Sequence, residues 1–91
     1  SAEDYDTPPR LIKQTRPRYA RKAFEKGIQG LVVLEITIGE KGNVSKLEVI
    51  RSVPELDQAA LDCVKKWKFA PATKDGRPVE SIATVPMTFK R

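Results

Sequence analysis

The ionisable side chains of this chain suit recognition better than catalysis. Among its 91 residues there is no histidine and one cysteine, Cys63. Ser–His and Cys–His nucleophile pairs and histidine-ligated metal sites are therefore excluded from this chain. Scattered carboxylates, lysines and arginines remain, and their spacing gives no acid–base pair, metal cluster or phosphate loop. The chain reads as non-enzymatic, with no cofactor and no metal. Two segments carry chemistry of another kind. Arg10 to Lys26 holds Arg10, Lys13, Arg16, Arg18, Arg21, Lys22 and Lys26 against Glu25 alone. Its guanidiniums at Arg16 and Arg18 can pair with partner carboxylates, and the same cluster also reads as a solvated face. The second segment, Glu80 to Lys90, alternates apolar and polar residues around Pro86. Proline in a sheet is confined mainly to edges and bulges. An edge has free backbone groups to which an extended peptide can add as a strand.

Composition narrows the class. Charged residues are 32% and hydrophobic residues 40%, with a net charge of +5. These are ordinary values for a small globular domain with one core. A lone cysteine forbids an internal disulfide, and Cys63 reads as a small core hydrophobe. No apolar run reaches membrane-spanning length. Residues 1–9, acidic and ending in Pro8-Pro9, read as a disordered linker remnant, and residues 10–91 as a single domain. The basic balance admits a nucleic-acid-binding α/β module as a rival. That class needs aromatics displayed on a sheet face or a Gly-x-x-Gly clamp, and the chain has neither, so no nucleic-acid partner is expected.

The elements that must position these segments follow from periodicity. Ala20 to Lys26 suits a short helix closed by Gly27. Tyr19, just ahead of it, reads either as a hydrophobic staple or as a contact residue. Val32, Leu34, Ile36 and Ile38 alternate on one face of a strand. Gly39-Glu40-Lys41-Gly42-Asn43 forms the turn, with Gly42 suited to positive φ. On the return strand, Val44 to Arg51, Val44 is out of phase with Leu47 and Val49, which predicts a bulge or a turn position for Val44. A second helix starts near Glu55, with Pro54 tolerated at its first turn. Leu56, Ala60, Cys63, Val64 and Trp67 form its apolar stripe, and Asp62 can pair with Lys66. The helix is expected to run into Trp67-Lys68-Phe69 and to be stopped by Pro71. Trp67 and Phe69 read as core anchors and Asp75-Gly76 as a structural turn. In the last strand Ala83, Val85, Met87 and Phe89 are the core face.

A helical crossover between the second and third strands makes them parallel to each other. The first lies between them, antiparallel to both. The expected fold is α+β: a three-stranded antiparallel sheet of order 2-1-3, with two helices on one face and the last strand at an edge.

Taken together, several short patterns resemble a known family. They are Pro17-x-Tyr19, Gly30-x-Val32-x-Leu34-x-Ile36, Asn43-Val44, Leu56-Asp57-x-Ala59-Ala60, Trp67-x-Phe69-x-Pro71-Ala72, Asp75-Gly76-x-Pro78-Val79 and Val85-Pro86-x-x-Phe89. In this order the set resembles the C-terminal domain of TonB-type energy transducers from Pro9 onward. Two departures stand out: the family commonly has Tyr-Pro before the first helix, where this chain has Tyr19-Ala20. Its best-studied members have Gln-Pro-Gln-Tyr where this chain has Arg16-Pro17-Arg18-Tyr19. The resemblance implies a periplasmic domain, joined to an inner-membrane anchor by a proline-rich linker outside this sequence. It implies binding of the Ton box of outer-membrane transporters, and work drawn from an inner-membrane proton-driven motor for uptake of substrates such as siderophores. A monomer or weak dimer is expected. Arg16, Pro17, Arg18, Tyr19, Ile82, Thr84, Val85, Pro86 and Thr88 are the candidate partner-binding residues. A TolA-like envelope domain with a non-transporter partner is the nearest alternative.

Overall fold

The computed structural model describes residues 4–91. Nine elements follow one another: β1 (Arg10–Lys13), α1 (Arg21–Glu25), β2 (Gly30–Ile38), β3 (Val44–Arg51), α2 (Pro54–Val64), β4 (Lys68–Ala70), β5 (Ala72–Lys74), β6 (Arg77–Val79) and β7 (Ser81–Phe89). The main sheet has the order β3-β2-β7, antiparallel throughout. This is the expected 2-1-3 arrangement, with β7 at one edge and β3 at the other.

The core lies on one face of that sheet. Val32, Leu34, Ile36 and Ile38 are fully buried, and Val85, Met87 and Phe89 continue their layer on β7. Ala23 of α1 and Leu56, Ala60, Cys63 and Val64 of α2 close it from above, so both helices cover the same face. The period-2 and period-3.6 patterns of the sequence thus converge on one apolar layer.

Local chemistry sets the ends. The β2–β3 turn is closed by Gly39 N–H donating to the Asn43 carbonyl at 2.8 Å and Gly42 N–H donating to the Gly39 carbonyl at 2.9 Å. Gly42 has φ +83. The register shifts between Thr37 and Ile38, where Thr37 faces Lys46 and Ile38 faces Val44. That bulge brings Val44 into phase with Leu47 and Val49. A second shift lies between Val33 and Leu34, toward the other end of β3. At the start of α2, Asp57 accepts from the Val53 N–H at 2.8 Å and from the Ser52 hydroxyl. This satisfies an orphan donor that Val53 cannot cap with its own side chain.

Two expectations are corrected. The first concerns α2, which ends at Val64, well before Pro71. Its exit tightens through Lys66 N–H to the Cys63 carbonyl and Trp67 N–H to the Val64 carbonyl, and the chain is then extended. Trp67 remains buried, and its Nε1–H donates to the Thr15 carbonyl at 3.1 Å. Cys63 Sγ reaches the same carbonyl at 3.0 Å, so the helix exit is tied to the N-terminal segment. The second concerns Asp62, which pairs with Lys65 at 3.3 Å rather than with Lys66.

The sequence reading also lacked two small ladders. One pairs β1 with β4, from Arg10↔Ala70 to Lys13↔Lys68. The other, β5–β6, turns at Asp75 (φ 52) and Gly76 (φ 76), the two left-handed residues that a two-residue type I′ hairpin requires. Asp6 N–H and Thr7 N–H both donate to the Thr73 carbonyl, at 2.8 and 3.1 Å. Asp4 pairs with Lys74. The segment from Asp4 to Thr15 therefore runs antiparallel beside the segment from Cys63 to Lys74. The linker reading covers residues 1–9: Asp4, Asp6 and Thr7 are tied to Thr73 and Lys74 of β5, and residues 1–3 lie outside the described residues.

Candidate functional site

The backbone of β7 is what the fold presents at its edge. Its nine residues pair with β2 without a register shift, from Gly30↔Phe89 to Ile38↔Ser81. Which of its backbone groups point outward follows from the hairpin. Gly39 N–H is directed at β3, and N–H and C=O directions alternate along a strand. Thr37, Glu35, Val33 and Leu31 of β2 therefore face β3, whereas Ile38, Ile36, Leu34, Val32 and Gly30 face β7. Ser81, Ala83, Val85, Met87 and Phe89 take up those bonds. Ile82, Thr84, Pro86 and Thr88 turn their backbone groups away from the sheet. Pro86, opposite Val33, sits where its missing N–H costs the ladder nothing.

The side chains of Ile82, Thr84, Pro86 and Thr88 are exposed on the sheet face opposite the helices. Val85 differs: its side chain is 8% exposed, in the core, and its backbone is turned to Leu34. It holds the strand in place and presents nothing at the edge.

The basic segment meets the far end of β7 through Tyr19. The Tyr19 ring packs edge-on against Phe24 at 5.4 Å and against Phe89 at 5.6 Å, and its hydroxyl donates to the Ile28 carbonyl. The Tyr19–Phe24 pair spans the positions of a hydrophobic staple about the Ala20 cap. Pro17 is half-buried, while Arg16 and Arg18 are exposed. Among the described residues neither arginine has a carboxylate within salt-bridge distance, whereas Arg21 is paired with Glu25 at 3.0 Å.

One group of residues escaped the sequence reading. Gln58, Ala59, Asp62 and Lys66 lie opposite Thr15, Arg16, Arg18 and Tyr19 across a groove of about 570 Å³. The spacing of Gln58 and Asp62 puts them on one face of α2, a signal present in the sequence beside the apolar stripe, and Lys66 follows just past the helix end. Asp62 accepts from Gln58 at 2.9 Å. That hydrogen bond, followed by the one from Lys65, holds its carboxyl below the usual range.

Comparison with known proteins agrees with this architecture. The family described as Gram-negative bacterial TonB protein C-terminal matches residues 15–91. Protein TonB of Vibrio cholerae is 40% identical over 87 residues, covering 93% of this chain and 36% of that protein. Protein TonB of Xanthomonas campestris is 37% identical over 75 residues, covering 80% of this chain and 34% of that protein. The chain thus spans about a third of the length of these relatives. The solution NMR structure of the Pseudomonas aeruginosa TonB C-terminal domain superposes with a TM-score of 0.78 at 31% identity, covering 94% of this chain and 89% of that one. The sheet order, the helix placement and the match over residues 15–91 agree, and the chain belongs to the TonB C-terminal domain family.

Proposed function

We propose that this domain grips the Ton box of outer-membrane transporters by strand addition to β7. In this role it is the periplasmic part of an inner-membrane-anchored protein and transmits work from a proton-driven motor for active uptake. The observation that carries the reading is the outward backbone of Ile82, Thr84, Pro86 and Thr88 on a straight edge. Strand addition is largely tolerant of side chains, which lets one domain serve several transporters. The other edge, β3, is a poorer template because its register shifts twice, and bulges disrupt pairing.

The experiment is an NMR titration with a Ton-box peptide. Amide signals of Ile82 to Thr88 are expected to move, with those of Ile82, Thr84 and Thr88 gaining protection from exchange. Changes confined to Val44–Arg51 would place the visitor on the wrong edge and refute the reading.

A further inference from the structure

The open edge does not stop at the start of β7. Glu80 alone separates β7 from β6, and exposure alternates through it without a break. Pro78, Glu80, Ile82 and Thr84 are exposed, whereas Val79, Ser81 and Ala83 are half-buried or buried. A bulge would shift that phase by one residue, so the chain from Arg77 to Phe89 follows one extended path. At about 3.3 Å per residue it spans about 40 Å, most of the 50 Å long axis of the domain. β5 lines its first part and β2 its second.

The direction of the β6 backbone follows from what lies on the other side of β5. Thr73 directs both backbone groups at the N-terminal segment: its carbonyl accepts from Asp6 and Thr7 N–H at 2.8 and 3.1 Å, and its N–H donates to the Thr7 carbonyl at 3.0 Å. Ala72 and Lys74 therefore face β6, where Val79 and Arg77 meet them. Pro78, opposite Thr73, turns outward. Proline again stands where the absent N–H costs no ladder bond. Pro78 and Glu80 thus point the same way as Ile82, Thr84, Pro86 and Thr88, and among the described residues no strand pairs with that side. Glu80 is also the one charged residue between Pro78 and Phe89. Its side chain is exposed, and among the described residues no cation lies within salt-bridge distance of it.

We propose that the docking edge runs on from β7 through Glu80 to Pro78, and that it takes there a basic segment flanking the strand-adding box. The flank pairs with the Glu80 backbone and sets a lysine or arginine beside the Glu80 carboxylate. Backbone pairing accepts nearly any sequence, whereas opposite charges on neighbouring strands favour one flank over another. The inference rests on strand addition to β7 for the path of the visitor, and on Glu80 for the choice of flank.

The test uses a Ton-box peptide that covers Ile82 to Thr88, and the same peptide with a Lys-Lys or Glu-Glu flank at either end. Affinity is read by calorimetry and amide exchange by NMR, in the wild type and in Glu80→Lys. An unchanged spectrum of the free variant checks that its fold is intact. At one end only, the Lys-Lys flank is expected to protect the Glu80 amide, which the bare box leaves exchanging. The preference for Lys-Lys over Glu-Glu at that end should fall about fivefold in Glu80→Lys at low salt. Flanks at the far end report only the general pull of the net charge of +5 on acidic peptides. The bare box should protect Ile82, Thr84 and Thr88 and bind both proteins alike. If it does so but neither flank protects Glu80, or the preference is the same in both proteins, the inference is overturned and strand addition stands. If no peptide protects those amides, strand addition fails and the inference fails with it.

Discussion

Pro86→Val is the sharpest probe of the edge. Pro86 occupies an exposed position on β7 with its backbone directed away from β2. Valine fits a half-exposed strand and restores one outward N–H. Because that N–H does not face Val33, it adds nothing to the sheet. Losing proline relaxes the unfolded chain and costs about 0.4–1 kcal/mol, which the strand preference of valine partly offsets. Unfolding stability in urea is therefore expected to be unchanged or lower by less than about 1 kcal/mol. The new donor meets the visiting strand instead. One net backbone bond contributes about 0.5–1.5 kcal/mol, so Ton-box affinity should rise by roughly two- to tenfold in calorimetry. The same donor completes the edge for another copy of the chain, so the variant should also show more concentration-dependent association in light scattering. The opposite geometry predicts the opposite pair of results. If position 86 faced Val33, valine would repair a buried ladder bond, raising stability by about 1 kcal/mol or more and leaving affinity alone. That outcome would refute the assignment of alternate backbone directions from the Gly39–Asn43 bond.

Two further predictions concern the frame that holds the edge. Gly42→Ala and Gly76→Ala both force alanine to positive φ, at +83 and +76, a cost of about 1–2 kcal/mol each. A Cβ at position 42 would also lie 1.8 Å from the Phe69 carbonyl oxygen, whereas nothing lies within 4 Å at position 76. Gly42→Ala must therefore open the Phe69 N–H to Gly42 carbonyl bond of 2.9 Å and should lose about 1–3 kcal/mol more than Gly76→Ala in urea unfolding. Equal losses would mean that β4 does not seat against the hairpin turn. Ser81 is fully buried opposite Ile38, and its hydroxyl has no partner among the described residues. Ser81→Ala should raise stability by about 1 kcal/mol, or Tm by about 4–8 °C, and a drop would reveal a hydrogen bond that the structure lacks.

The main sheet was legible because its patterns are long and redundant. Val32, Leu34, Ile36 and Ile38 all repeat one face, and Val44's phase error located the bulge beside it. The short ladders were not legible. Arg10–Lys13 is exposed throughout, so no burial pattern marks it as a strand. Its partner Lys68–Ala70 lies between a helix exit and Pro71, and proline drew attention to a stop rather than to an extended segment. Asp75-Gly76 marked a turn, but the strands beside it are three residues each, too short for alternation to register. What pairs β1 with β4 is a contact across more than fifty positions, anchored by Trp67 and Cys63 on the Thr15 carbonyl, and local sequence does not encode that meeting. The edge itself was legible through Pro86, while the groove was hidden. Arg16 and Arg18 are far from Lys66 in sequence, and only the N-terminal segment lying along α2 brings them together.

The open edge is also too weak to act alone. It presents three N–H donors, on Ile82, Thr84 and Thr88, and four carbonyl acceptors, on those residues and Pro86. At about 0.5–1.5 kcal/mol each, a full complement yields roughly 3–10 kcal/mol. Ordering some seven residues of a flexible peptide costs about 1–2 kcal/mol per residue for the backbone alone. That cost, roughly 7–14 kcal/mol over seven residues, exceeds the bonding gain, so backbone pairing alone does not hold a flexible peptide. A grip that must survive load needs side-chain contacts that do not depend on the ladder. Ile82, exposed at one end of β7, supplies apolar area there. At the other end, Tyr19 packs edge-on against Phe89 and adds aromatic area. Contacts at the ends of the strand, rather than the ladder itself, would then set how long a partner stays.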